Sequence, residues 1–563
     1  MRTFQRELAA RASDPSGRRW FYVPYDQLSS ELGPLAQLEP REAGIVLIEA
    51  PAKAARRPYH QQKLALVLAN QRQHALEQAA RGVAVRYVVT KGGYAAALER
   101  LAAELGVLHM MLAAERELRV ELGPIVERGL LVVHPHQGWL TTRDDFLAAR
   151  GPPWRMDAFY RRVRQRTGIL MEHGRPAGGR YSHDAENRRP WRGSPPAPEP
   201  PRFEPDAVTR EVGELIASSY AHHPGTLDLS SLPATAADAA ALWRWARAAC
   251  LPDFGPFEDA MSTRSSGLFH THVSALLNLH RLLPRDLVHD VASDPALPLS
   301  SREGFVRQIL GWREFVRHVH VETDGFRSIA GDATPAAAHA GDGGFGRWRG
   351  EPWPPSSSPG DAGARPSALR AREPLPPAYW GKPSGLACLD YVVESVWQQG
   401  WSHHITRLMI LSNLATLLGF DPRELTDWFW VAYTDAYDWV VEPNVLAMGT
   451  YAVSDLMTTK PYVSGASYIH RMSDYCSRCR FDPKKNCPIT PAYWAFLASQ
   501  AEPLARNPRL RVPLAALRTR SLPARAEDAR VTAALRSALA RGEVVTPESL
   551  GTGSGGRSPK RRD

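Results

Sequence analysis

The period of the apolar positions changes partway along the chain and divides it in two. From Trp20, short runs rich in β-branched and aromatic residues (WFYVPYDQL, AGIVLIEA, VAVRYVVT, LHMMLAA and LLVVHP) alternate with stretches of helical spacing such as YHQQKLALVLANQRQHALEQAARG and AAALERLAAELG. That alternation predicts an α/β lobe with a parallel sheet over residues 20–150. After Asp206 the apolar positions follow helical spacing through AADAAALWRWARAAC, HVSALLNLHRLL, REGFVRQILGWREFVRHV and the long run 385–419, which predicts an all-α second lobe over 206–522. The Pro- and Arg-rich stretch 151–205 is expected to be an extended interdomain linker. Three segments lack a useful period: 1–19 reads as a flexible extension, 330–374 as a disordered insertion in the helical lobe, and 523–563 as a disordered charged tail.

Length agrees with two lobes, because a chain of 563 residues exceeds the roughly 250–300 residues at which single cores stop growing. No stretch approaches the roughly 18 uninterrupted apolar residues of a membrane span, so no membrane partner is expected. The N-terminus MRTFQRELAARASDPSGRRW has no apolar signal core, and a reducing, cytoplasmic location with a monomeric chain is expected. The net charge of +10, carried mostly by Arg, suits a polyanion such as nucleic acid; an Arg-rich composition alone explains it equally well.

Chemistry concentrates near the C-terminal end of the helical lobe. Cys476, Cys479 and Cys487 fall within SDYCSRCRFDPKKNCP, and Cys388 lies upstream. A C-x2-C pair with a further thiol and a Cys-Pro step is the chemistry of iron–sulfur or zinc ligation, with unpaired structural thiols as the remaining reading. The odd count of five cysteines argues against a disulfide framework, and Cys250 reads as a small buried hydrophobe. Gly551, Gly553 and Gly556 satisfy G-x-G-x-x-G, but no strand precedes them and SPKRRD cannot form the following helix, so dinucleotide binding is unsupported there.

The segment between Trp380 and Trp494 is dense in aromatic rings, which can carry electrons, stack on splayed bases or simply fill a core. Within it GWSHHITRLM sets His403 and Arg407 four residues apart on one helical face with His404 beside them. Two adjacent histidines read either as a proton-donor site or as a basic helix end.

These runs combine into a recognisable whole. HHITRLMILSNLATLLGFDP, DWFWVAYTDAYDWVVEPNVLAMGTYA, TKPYVSGASYIHRMSDYCSRCRFDPKKNCP, EGFVRQILGWREFVR, MDAFYRRVRQRTGILM and GGRYSHDAENR together resemble the bacterial iron–sulfur (6-4) photolyases of the photolyase/cryptochrome superfamily, over residues 21–522. The resemblance implies an N-terminal antenna lobe, a helical lobe holding FAD, and a 4Fe-4S cluster on Cys388, Cys476, Cys479 and Cys487. It implies flavin contacts from Thr271, Ser274, Trp312, Arg313 and an Arg407–Asp435 pair. His404 becomes the general acid with His403 as neighbour, Tyr462 and Tyr468 line the lesion pocket, and Trp428 and Trp380 carry electrons from the surface.

The implied reaction is light-driven repair of UV-damaged DNA by an electron from excited reduced FAD, with (6-4) pyrimidine photoproducts as substrate. Three positions depart from the family pattern. Cys479 and Cys487 are closely spaced, Phe429 stands where some relatives have a redox-active Tyr so that the route can pass through Trp430, and Lys53 occupies the place of a carboxylate that holds a lumazine-type antenna chromophore, Glu49 lying four residues too early. Asp26 is the antenna contact that matches. A cryptochrome-like blue-light receptor is the alternative function, and a light-independent iron–sulfur nucleic-acid-binding module is a third that leaves the α/β lobe unexplained.

Overall fold

The computed structural model describes residues 3–329, 332–337, 341–353 and 363–552. Five strands, β1 (Arg19–Tyr22), β2 (Ala43–Glu49), β3 (Ala84–Val89), β4 (Leu108–Met111) and β5 (Leu131–His134), form one sheet in the order β3-β2-β1-β4-β5. Every pairing is parallel. β2, AGIVLIE, is buried along its whole length, as a central strand covered on both faces must be. At Gly44 a Cβ would come within 2.6 Å of the Trp20 ring on β1, so only glycine lets these two strands pair there. The chain order reverses between β1 and β4, which places a crevice at the carboxyl ends of these strands.

The helix Gln61–Ala80 joins the lobes. Lys63 at its start is buried and donates to the carbonyls of Trp430 (2.8 Å) and Ala436 (2.5 Å) in the helical lobe, while Arg281 reaches back to Glu77 at 2.7 Å. One continuous apolar core therefore runs from Trp20 and Val46 of the sheet to Trp428 and Leu535 of the helices. Among the described residues no helix is long and apolar enough to cross a membrane.

Several stretches expected to be loose are packed. The helix Thr3–Ala10 buries Phe4 edge-on against Tyr87 at 4.6 Å, and the Phe4 amide donates to Glu211. The linker region contains the helix Met156–Thr167, whose Phe159 and Val163 are in the core of the helical lobe. Within 330–374, residues 341–353 form a short turn of helix, Phe345–Arg349, with Phe345 buried and Arg347 paired to Glu424; positions 330–331, 338–340 and 354–362 lie outside the described residues. The stretch read as a charged tail forms the helix Leu522–Ala540, and only 553–563, with Gly553 and Gly556, lies outside the described residues. Val531, Leu535 and Leu539 recur every four residues on one face, so a narrow apolar stripe suffices to dock an otherwise polar helix beside Ile489–Ser499.

Leu535 is 0 % exposed, so Leu535→Ala should destabilise the protein by about 2–5 kcal/mol in denaturant melts. A change near zero would show that this helix is not part of the cooperative core.

Candidate functional site

A cavity of about 300 Å³ opens in the middle of the helical lobe. Three of the helical runs that wall it each contain a π-helical turn: Arg307–Arg313, Arg407–Ser412 and Glu442–Gly449. A π turn inserts one residue into the helical ladder and swings its neighbours' side chains, which is why such turns gather at functional sites. Here they present Trp312 and Arg313, Arg407 and Leu408, and Asn444 and Val445 to one space. Thr271 and Ser274 close another wall, so six of the residues expected around a flavin (Thr271, Ser274, Trp312, Arg313, Arg407 and Asp435) line the same cavity.

The floor is a two-pronged ion pair. Arg407 donates through Nη1 and Nη2 to the two oxygens of Asp435 at 3.0 and 2.9 Å, and its Nε donates to the Ser402 carbonyl at 2.8 Å. Ser274 Oγ donates to Asp435 Oδ2 at 2.7 Å, and the guanidinium sits 4.1 Å over the Tyr433 ring. Burial pushes the Asp435 carboxyl up, but the Arg407 charge and these hydrogen bonds outweigh it and hold the group below its usual value. The pair is therefore ionised, and deleting either partner leaves a buried charge alone, at a cost of about 3–5 kcal/mol.

The histidines divide by exposure. His403 is buried, stacks on His270 with ring centroids 4.5 Å apart, and has no partner on either ring nitrogen. Burial, then the charges of His404 and Arg407, hold it well below its usual value. The orphaned nitrogens of His403, with His270 Nε2 and Arg313 Nε also unpartnered, are polar atoms that a bound polar cofactor would satisfy, and in this respect the cavity fits FAD. His404 faces the mouth with 40 % of its side chain exposed, and is lowered less, by burial with Glu258 opposing.

One member of this group is invisible in the sequence. Asp259, in PFEDAMS, places Oδ1 4.0 Å from His404 Nε2 and accepts a hydrogen bond from Tyr468 at 3.3 Å. Burial, then Glu258 and Asp184, raise it to about 7. Tyr468 thus belongs to the His404 site but does not line the cavity. Tyr462 is half-buried and also stands outside it, on the side of Asp184 and Arg509.

Trp428 is buried one ring behind the cavity wall, edge-on to Phe429 at 5.2 Å. Trp380 is only 5 % exposed and meets Trp428 through Trp397, so it is not itself the surface end of the chain of rings. Trp430 turns the other way, beneath the Arg57 guanidinium at 3.9 Å, and lines a separate interlobe cavity.

That second cavity, about 150 Å³, sits at the strand crevice. Asp26 lies outside its lining, buried, with both carboxylate oxygens unpartnered and its carboxyl raised to about 7 by burial and the Glu115 charge. Lys53 is taken up by Glu115 at 2.8 Å and Glu117 at 2.6 Å, and Glu49 by Arg72 at 2.6 Å. The charges satisfy one another, and nothing in this donor set selects a lumazine ring.

The four expected thiols come from the start of the helix Ala387–Gln399 (Cys388), the turn Tyr475–Arg478 (Cys476), the residue after it (Cys479), and the residue before the Pro488 cap of Ile489–Ser499 (Cys487). Burial raises the Cys388 thiol most, followed by the charges of Cys487, Cys479 and Cys476, and all four cysteines belong to or pack against the same core cluster. Among the described residues no group of three or more ligating side chains is spaced for a single metal ion. Cys250 is buried elsewhere and donates weakly to the His270 carbonyl, as a packing residue does.

A family model described as deoxyribodipyrimidine photo-lyase-related protein matches residues 21–231. The chain is 31 % identical over 509 residues, 87 % of its length and 93 % of the relative's, to a (6-4) photolyase of Agrobacterium fabrum. A class III photolyase from Agrobacterium tumefaciens shares the fold with a TM-score of 0.51 at 13 % identity, covering 94 % of this chain and 99 % of that one. A cryptochrome from Synechocystis does so with 0.50 at 15 % identity, covering 86 % and 93 %. With this identity over most of both chains, the chain belongs to the bacterial photolyase family.

Proposed function

We propose that the protein uses light to repair (6-4) pyrimidine photoproducts in DNA, and that the observation carrying this reading is the His404–Asp259–Tyr468 group at the mouth of a cavity floored by Arg407 and Asp435. Reversing a (6-4) product requires an electron, to weaken the bond between the bases, and a proton, to return the transferred group. Bound FAD, reduced and photoexcited, supplies the electron. Asp435 fixes the orientation of Arg407 and neutralises its charge, and the Arg313 guanidinium, whose Nε is unpartnered, adds the positive charge at the wall that suits an anionic cofactor. Thr271, Ser274, Trp312 and Arg313 would hold the cofactor against the walls.

The proton belongs to His404. Its Nε2 is at the mouth, where a base flipped from the duplex arrives, and Asp259 stands 4.0 Å from it as the ion-pair partner of its protonated form. His403, sealed on His270, orients this end of the helix. Arg188, 3.9 Å from Asp259, and Arg471, 5.6 Å over the Tyr468 ring, flank the mouth and suit the phosphates beside a flipped lesion. A receptor that only signals has no use for such a proton donor, which weighs against the cryptochrome-like alternative.

Cys388, Cys476, Cys479 and Cys487 we assign to a 4Fe-4S cluster, on the softness of an all-thiolate set and on the Cys-x2-Cys and Cys-Pro steps of the run SDYCSRCRFDPKKNCP. A cluster held by these four would join the turn around Cys476 to two helices of the core and be structural in this reading.

Three outcomes test these assignments. His404→Ala should keep flavin content and lesion-DNA binding while losing repair by the pre-reduced enzyme; repair at wild-type rate would remove His404 as the acid. Cys476→Ser should lose iron and the broad visible absorbance in the purified protein, and full iron content would contradict the ligand set. Asp259 binds its proton on folding between the unfolded value near 4 and the folded value of about 7, so its contribution to stability is complete below pH 4 and is lost as pH rises through 7. Asp259→Asn should therefore make the fall of Tm across this window shallower, and an identical slope would show that Asp259 is not raised.

A further inference from the structure

The inserted segment 341–353 does more than cover the helical lobe. Trp380 donates its indole N–H to the Gly343 carbonyl at 2.9 Å, packs on Phe345 at 4.9 Å, and is stacked by Trp348 with centroids 6.1 Å apart and planes 21° from parallel. On its other side Trp380 stacks on Trp397 at 4.9 Å and 22°. Trp397 in turn meets Trp428 edge-on at 5.9 Å, and Trp428 meets the cavity-lining Phe429 at 5.2 Å. A file of indoles thus leads from Trp428, one ring behind the cavity wall, into the insertion.

We propose that Trp348, carried by the insertion, is a further electron-relay residue, so that the relay runs Trp428–Trp397–Trp380–Trp348 and ends at the surface groove beside the insertion. The proposal rests on the flavin reading of the cavity.

The environment of the rings supports the direction of travel. Trp428 and Trp397 both donate their N–H to the Tyr379 carbonyl, at 2.8 and 2.9 Å, and Trp380 to that of Gly343. A carbonyl oxygen accepts a hydrogen bond but does not take the proton, so an oxidised inner ring keeps its proton and its charge, and the vacancy moves on. Trp348 is the outermost ring of the file and is half-exposed, as Trp397 is, and its N–H is buried without a partner. It lines, with Trp380, Trp397, Arg349 and Lys382, a groove of about 800 Å³ wide enough for a small reductant.

The electrons balance in single steps. Each ring gives one electron to its inner neighbour and takes one from its outer neighbour. Trp348 takes the last from a soluble thiolate in the groove, which leaves as a thiyl radical and ends as disulfide after two turnovers. The net change is one electron moved from thiolate to bound flavin, with no bond to the protein made or broken.

Trp348→Phe keeps an aromatic ring in the stack but removes the oxidisable indole. After a flash on protein with oxidised flavin, the variant should show the same initial tryptophanyl absorbance as the wild type, a shorter-lived radical, and a several-fold lower yield of lasting flavin reduction with dithiothreitol. Trp397→Phe should interrupt the file earlier and lower the yield further. Repair by chemically pre-reduced enzyme should be equal in Trp348→Phe and wild type, which shows that the variant folds. An unchanged radical lifetime and photoreduction yield in Trp348→Phe would overturn the proposal. Wild-type protein that binds flavin yet gives no flash-induced tryptophanyl radical would overturn the relay as a whole, and protein that binds no flavin would overturn the functional reading beneath it.

Discussion

The short stretch 430–438 is the junction on which the molecule depends. Asp435 fixes Arg407 beneath the cavity, accepts from Ser274, and through its own carbonyl accepts from Asn278 at 2.8 Å. The Trp430 and Ala436 carbonyls receive the buried Lys63 ammonium of the α/β lobe, and Asp438 accepts the Glu117 amide of the same lobe at 3.0 Å. Burial pulls Lys63 down to about 7, with carboxylates and other cations acting in opposite directions. The lobe interface and the cavity floor thus share contacts from the same nine-residue stretch. Buried ionic groups of this kind contribute little net stability, but they permit one arrangement and penalise the rest.

On that frame the two reactive ends of the site are separated by environment. At the floor, charge is fixed: Arg407 and Asp435 stay ionised because each lowers the energy of the other. At the mouth, charge is mobile: His404 is partly exposed, and Asp259 is poised to hold or release a proton near neutral pH because burial and like charges oppose its ionisation. In the proposed reading, the fixed charge at the floor and the mobile proton at the mouth keep the electron-donating and proton-donating ends of the cavity apart.

The sheet was legible because its strands, buried on both faces, are continuous apolar runs, and all five predicted runs form strands. The helical lobe was legible from spacing, and several long motifs at once pointed to residues that line one cavity. The docked ends and the insertion were not, because Phe4, Phe345, Trp348 and the Leu535 stripe are few apolar residues in a polar, Gly- or Ala-rich background, and a single ring anchors a segment whose composition reads as disordered. Asp259 was missed because an acid earns its role from neighbours distant in sequence: Tyr468 and His404 lie far along the chain. Trp430 illustrates the converse, since adjacency to Trp428 and Phe429 places its side chain on the opposite face of the helix, against Arg57.

The most direct test of the central claim is a repair assay with photoreduced protein and two oligonucleotides, one bearing a single (6-4) product and the other a cyclobutane dimer, under blue light and in darkness. The account predicts light-dependent restoration of the (6-4) substrate. Restoration of the cyclobutane dimer alone would contradict the lesion assignment, and no restoration of either by protein that carries reduced flavin would contradict repair and leave a photoreceptor.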